Sequence, residues 1–332
     1  MRNIFLLFTL LLLINSCAPK PKEYIQVEGF AQGTTFSIVY YDSLKRNFSA
    51  SFDSIFLVID NSMSVYNDSS IISRFNKNEI STIDLLLAEV INISDSVYKE
   101  TQGAFDITVG PVIRAIGFGK DKVKGIDSAK VRSLLPLIGM DQLKIDGLTL
   151  IKTKPEIQID VNAIAQGYTV DVIANFLKSK GVCNFLVEVG GEICAYGISS
   201  RGTNWVVGLD KPIEYAMPGE EIQTKISLAG GRGLATSGNY RKFIEVDSLK
   251  YSHTINPKTG FPVLNTLLSA TVIAPTAARA DGLATAFMVN GLNWSINFVN
   301  SNPNIDAYLI YSDKDGKYNV WVSKGLKAES SN

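Results

Sequence analysis

Two side chains near the C-terminal end, Asp281 and Thr285, have the types and spacing for chemistry. They lie in Val272–Gly291, where a strand-like apolar run stops at Pro275 and small residues begin a helical pattern with Thr276 as a candidate N-cap. On a helix, residues four apart share one face. A carboxylate beside a hydroxyl there makes a patch of hard oxygen donors suited to a cation such as Mg2+. Other polar candidates sit in Gly-containing connections. Asp106 stands between Gly103 and Gly110, and Asp160 stands at the start of a helical pattern. Each reads first as a helix cap and second as a ligand contact. His253 is the chain's single histidine and the natural proton carrier near neutral pH, with a structural role as the alternative. Gly190-Gly191 and Gly230-Gly231 would let backbone approach a ligand closely, or simply turn tightly.

Composition bounds the function. The 332 residues carry 32 Lys plus Arg against 32 Asp plus Glu, so no net field draws in nucleic acid. Hydrophobic residues at 46% and charged residues at 19% describe a well-packed globular chain. The spacing of its Cys and His residues contains no zinc cluster. Cys183 and Cys194 read as two buried thiols, with a disulfide between them as the alternative. There is no Walker loop, no G-x-S-x-G elbow and no dinucleotide G-x-G-x-x-G after a strand. At the N-terminus, Arg2 precedes the apolar run Ile4–Ile14, then Ser16-Cys17 and a polar, Pro-containing stretch. That run is shorter than the roughly 20 residues of a membrane span, so it reads as an export signal. Cys17 after a small residue resembles a lipoprotein lipobox, and an ordinary signal with an incidental cysteine is the alternative. The expected organisation is a signal over 1–16, a tether over 17–26, one domain over 27–323 and a flexible tail over 324–332. Cys17 would carry the lipid anchor on the periplasmic side of the inner membrane.

The positioning elements follow from periodicity. Strands are expected within Tyr24–Tyr41, with bends at Gly29 and Gly33, and a helix over Ser49–Met63. A loop follows over 64–78, then a helix over Thr82–Thr101 with Ser81 as cap. A short helix is read at 127–135, short strands within 142–159, and a helix from Asp160 to Lys180 with Gly181 at its C′ position. Strands are expected at 185–189, 192–197, 203–209 and 225–230. After the Thr276 helix, strands at 305–311 and 317–322 close the chain. Strands in meander order with grouped helices point to an α+β class.

Six blocks in this order resemble the ApbE family, the FAD:protein FMN transferases. They are Met63–Tyr66 with Ser73–Asn76, Gly103–Pro111, Asp160–Asp171, Val187–Glu192, Ala235–Arg241 with His253–Gly260, and Ala280–Thr285. The resemblance implies an ApbE-like, T-fold-related unit with mixed or antiparallel sheets, in a periplasmic lipoprotein. It also implies Mg2+-dependent cleavage of FAD, with FMN joined through its phosphate to a Thr or Ser hydroxyl of an acceptor protein and AMP released. The acceptor implied is a membrane redox subunit. The metal would rest on the Ala163 carbonyl with Asp281 and Thr285. Flavin nucleotide contacts would fall on Gln32, Tyr66, Ala104, Phe105, Asp106, Asp160, Gln166 and Ile255. The resemblance departs at Gln32, where many relatives have Met, and at Gln166, where many have Lys and so a positive charge near the phosphates. His253, or Asp281 beside the metal, would take the acceptor's proton, and His253 is preferred because a metal-bound carboxylate is a poor base. A Mg2+-dependent FAD pyrophosphatase and a non-catalytic flavin-binding lipoprotein are the alternative readings.

Overall fold

The computed structural model describes residues 22–118, 126–213, 220–239, 243–246, 249–252, 254–326 and 328–330. The expected signal, Cys17 and His253 lie outside these residues. Strands β1 (Ile25–Ala31) and β2 (Thr34–Tyr40) form a hairpin whose turn residues, Gln32 and Gly33, have φ of 52° and 74°. Positive φ at both central positions is the twist-matched turn for a two-residue hairpin loop. Gly29, expected at a bend, instead lies inside β1 opposite Phe36. A Cβ added there would come within 2.7 Å of the Phe36 ring.

Helix α1 (Ser49–Met63) buries Phe52, Phe56, Ile59 and Met63 along one stripe, at the expected bounds. The expected loop after it contains a short helix, α2 (Ile71–Asn76), capped by Ser70. Helix α3 (Leu85–Glu100) begins later than expected, because Asp84 rather than Ser81 accepts the first-turn amide, from Leu87. Thr82 is held in a bridge to Thr149 instead. Next come α4 (Gly110–Ile116) and α5 (Ser128–Leu134), then the hairpin β3 (Leu143–Asp146) and β4 (Thr149–Lys152). Helix α6 runs Ala165–Ser179 and closes at Gly181, whose φ is 78°. Five strands follow: β5 (Phe185–Val189), β6 (Glu192–Tyr196), β7 (Trp205–Asp210), β8 (Ile222–Leu228) and β9 (Gly233–Gly238). Strands β10 (Phe243–Val246) and β11 (Leu249–Ser252) form a hairpin that the sequence reading did not anticipate. Strand β12 (Leu267–Ala274) leads into α7 (Ala277–Asn290). A further helix, α8 (Leu292–Ser301), was also unanticipated, and β13 (Asp306–Ser312), β14 (Tyr318–Val322) and β15 (Ala328–Ser330) complete the chain. Strand β15 pairs with β8, so the expected loose tail is in part a sheet edge.

The large sheet has eight strands in the order β1-β2-β5-β6-β9-β12-β13-β14. Every ladder among the described strands is antiparallel, the second of the two arrangements, mixed or antiparallel, that the resemblance implies. Side chains alternate across β12: Ala270 and Val272 face the helical core, and Ile273 faces a second core under β7 and β8. A strand buried on both faces reads as a continuous apolar run. Helix α7 is buried almost all round, from Ala277 to Val289, as expected of a helix enclosed by protein. Its small residues allow main chains to meet. A Cβ added to Gly167 of α6 would lie 2.5 Å from the Ala277 carbonyl oxygen, and one on Gly233 of β9 would lie 2.1 Å from the Ala277 nitrogen.

The Gly233 contact is with main chain, which cannot swing aside. Gly233→Ala is therefore expected to cost about 3 kcal/mol through overpacking, read as a lower urea midpoint with an unchanged slope.

Candidate metal and nucleotide site

Helix α7 starts as expected, with the Thr276 hydroxyl accepting from the Arg279 amide at 3.2 Å. The two amides at its very start, Ala277 and Ala278, donate to the two oxygens of Asp171 on α6, each at 2.9 Å. One turn on, Asp281 is buried against the N-terminal end of α6. Its Oδ2 accepts from the Gly167 amide at 3.2 Å. In a regular helix the Gly167 N–H would bond the carbonyl four residues back, that of Ala163. Here it is diverted to Asp281. Helix α6 accordingly begins at Ala165 rather than Asp160, with Ile164 at its boundary. Thr285, one turn beyond Asp281, sits 3.4 Å from the hydroxyl of Ser237 on β9.

The electrostatics follow from burial. Desolvation raises the Asp281 carboxyl to about 7, with the Gly167 N–H pulling the other way and the charge of Asp171 adding to the rise. Asp171 is itself pushed up to about 6 by burial, against the pull of its two amide donors. A buried carboxylate with one main-chain donor among the described residues calls for a positive partner. Asp281 and Thr285 put a carboxylate and a hydroxyl on one face of α7, oxygen donors of the kind that fit a hard divalent ion.

The remaining sequence-predicted residues fall into two groups. Gln32 and Gln166 both belong to the surroundings of α6. The Gln32 amide bonds the buried Thr169 hydroxyl of α6 at 2.9 Å. The Gln166 amide lies where a Cβ on Gly190 would meet it at 2.9 Å, so the Gly190-Gly191 turn leaves room for that side chain. Tyr66, 58% exposed, lies beside Asp160 and Asn162 and offers an open ring face. Asp160 accepts from the Asn162 amide at 2.9 Å, and burial raises its carboxyl. Asp106 is buried and accepts from both the amide and the hydroxyl of Thr108, at 2.8 and 2.6 Å. Burial pushes it up to about 6. Ala104 and Phe105 have side chains in the core, so a ligand would meet them through main chain. The Ile255 side chain is buried with Val112, Ile116 and Val131, in a cluster of its own. Cys183 and Cys194 are free thiols, Cys194 buried as expected and Cys183 exposed.

Sequence reasoning gave no role to Asn76 or Asp171, although both lie in the quoted blocks. Asn76 is buried and bonds the Ile159 main chain both ways, donating to its carbonyl at 2.8 Å and accepting from its amide at 2.9 Å. The Asp160 amide in turn donates to the Ile107 carbonyl at 2.7 Å. These bonds fix the segment that carries Asp160 and Ala163 between α2 and the Gly103–Pro111 block.

This sheet-and-helix framework is that of the flavin transferases. The solved flavin transferase ApbE from Vibrio cholerae superposes with a TM-score of 0.82 at 32% identity, covering 92% of this chain and 98% of that one. The Vibrio cholerae FAD:protein FMN transferase is 33% identical over 336 residues, 98% of each chain. The Haemophilus influenzae FAD:protein FMN transferase is 32% identical, covering 90% of this chain and 89% of its own. The ApbE family model matches residues 32–309, and the chain belongs to the ApbE family.

Removing the Asn76 side chain would leave the buried Ile159 amide and carbonyl without partners, each costing ~1–3 kcal/mol. Asn76→Ala is expected to lower stability by about 2–4 kcal/mol on that ground, measured by chemical denaturation.

Proposed function

We propose that this chain is a Mg2+-dependent FAD:protein FMN transferase, joining FMN through its phosphate to a Thr or Ser hydroxyl of an acceptor protein and releasing AMP. Kinship with transferases of that name supports the reaction class. The observation that carries the metal site is the diverted Gly167 amide. It links the turn bearing the Ala163 carbonyl directly to Asp281 and frees that carbonyl from its helical bond. Ala163, Asp281 and Thr285 would hold Mg2+, with FAD phosphate oxygens and water completing its shell. When bound, its contribution is Lewis-acid polarisation of the pyrophosphate and charge neutralisation on the leaving phosphate.

The chain's own residues do the rest. Tyr66 offers an exposed ring and hydroxyl to the flavin nucleotide, and Asp106 and Asp160 are acceptors for its hydroxyls or amines. Gln32, Gln166 and the main chain of Ala104, Phe105 and Ile255 complete the nucleotide contacts. In the transfer step the acceptor oxygen forms a bond to the FMN phosphorus as the bridging P–O bond breaks. The electron pair leaves with AMP, and the hydroxyl proton passes to His253. Gln166 supplies no positive charge, so the proposed cation carries that part of the charge neutralisation at the phosphates. The cell-biological half of the reading is lipidation at Cys17, anchorage on the periplasmic face of the inner membrane, and a membrane redox subunit as acceptor.

Mass spectrometry of an acceptor incubated with the protein, FAD and Mg2+ tests the reaction. The expected result is an added FMN mass on a Thr or Ser, with AMP released in step. AMP release at the same rate without acceptor would make the chain a hydrolase, and tight FAD binding with no AMP would make it a carrier. Asp281→Ala is expected to abolish transfer, Thr285→Val to raise the Mg2+ concentration needed for half-maximal activity by about tenfold or more, and Thr285→Ser to retain most activity. Near-normal flavinylation by Asp281→Ala would refute the site.

A further inference from the structure

We infer that Asp171 is a positioning residue for the cation site: its carboxylate clamps the first turn of α7 to α6, setting how Asp281 and Thr285 face the Ala163 carbonyl. The inference rests on the Mg2+ reading above and adds a residue to it. Helix starts carry amides with no intrahelical acceptor, normally met by the helix's own cap or by water. Here Thr276 takes the amide of Arg279, and the earlier two go to a carboxylate on another helix. Each Asp171 oxygen takes one amide at 2.9 Å, so the grip is two-pronged and fixes rotation as well as distance. Bonds from amides to an ionised oxygen are the stronger kind, and a negative group at a helix N-terminus is further favoured by the helix dipole.

The spacing along α6 gives the clamp its purpose. Ala163 sits in the entry turn just before α6, and Gly167 and Asp171, four residues apart within it, lie one above the other on one side of the helix. At the first level stands the carbonyl released by its helical partner. At the second, the Gly167 amide meets Asp281 while its missing side chain lets the Ala277 main chain come close. At the third, Asp171 holds the start of α7. Asp281 lies one turn beyond the clamped amides and Thr285 two turns, so any rotation of α7 about its axis moves both donors and swings Asp281 away from Gly167 of α6. Asp171 therefore acts through α7 rather than on the ion.

Mn2+ binding to the full chain, followed by the electron paramagnetic resonance of free Mn2+, tests this without any turnover. Asp171→Asn keeps the shape but has one acceptor oxygen for two amides. It is expected to raise the Mn2+ dissociation constant by about 10–100-fold, the usual cost of losing a supporting partner. The stability control is Asp42→Asn. Asp42 takes three bonds from Arg46, whose guanidinium also holds the Lys180 carbonyl at the far end of α6. That end is fifteen residues from the site, or about 22 Å along the helix. Asp42→Asn should lower the melting temperature and leave Mn2+ affinity at the wild-type value; a matching loss of affinity there would reduce Asp171 to general stability and overturn the inference. Wild-type Mn2+ affinity in Asp171→Asn would overturn it too. Asp281→Ala in the same titration separates the two layers: if it still binds Mn2+, the underlying site falls, whereas if it alone loses binding, only the role of Asp171 falls. Should Asp171→Asn not fold, hydrogen exchange on the wild-type chain decides. Mg2+ is expected to slow the Ala277 and Ala278 amides together with those of 165–168, and unchanged exchange at Ala277 and Ala278 would refute the clamp.

Discussion

One main-chain hydrogen bond determines how the centre of this molecule is arranged. The Gly167 amide can close the first turn of α6 or reach across to α7, and it reaches across. Because it does, α6 starts two residues after Ala163, and a carboxylate is held in the core. The arrangement requires main chains to touch, which explains the glycine at 167 and the alanines at 277 and 278. Larger residues would separate the helices by more than a hydrogen bond can span. The eight-stranded sheet under α7 then acts as the rigid floor on which the crossing is made.

Elements with a clean period were legible in the sequence. Helix α1 was read to the residue because its apolar positions recur at helical spacing, and β5 because it is a short apolar run before Gly190-Gly191. Helix α8 was not, since Asn293, Asn297 and Asn300 dilute the pattern and Phe287, against which its Trp294 and Phe298 pack, lies on α7. The start of α3 was misplaced for a similar reason. Thr82 is drawn into a bridge with Thr149, far along the chain, and the capping duty passes to Asp84.

The candidate site divides along the same line. Asp281 and Thr285 could be paired from spacing alone, because a helix fixes what lies four residues away. Asp171 and Asn76 could not, since their partners are backbone groups 106 and 83 residues distant. Nothing local in a sequence distinguishes a carboxylate that caps its own helix from one that caps another. Ala104 and Phe105 show the converse difficulty. A motif can keep such residues for their packing while a ligand meets only their peptide groups.

The Gly167–Asp281 bond joins positions 114 residues apart in the chain. A polypeptide emerging N-terminus first therefore holds only one of the three proposed oxygen donors, Ala163, until its last third has been made and threaded into the sheet. No fragment ending before α7 carries Asp281 or Thr285, so the proposed ion capture would be reserved for the finished fold. For a chain proposed to act outside the cytoplasm, that ordering would delay loading until after export.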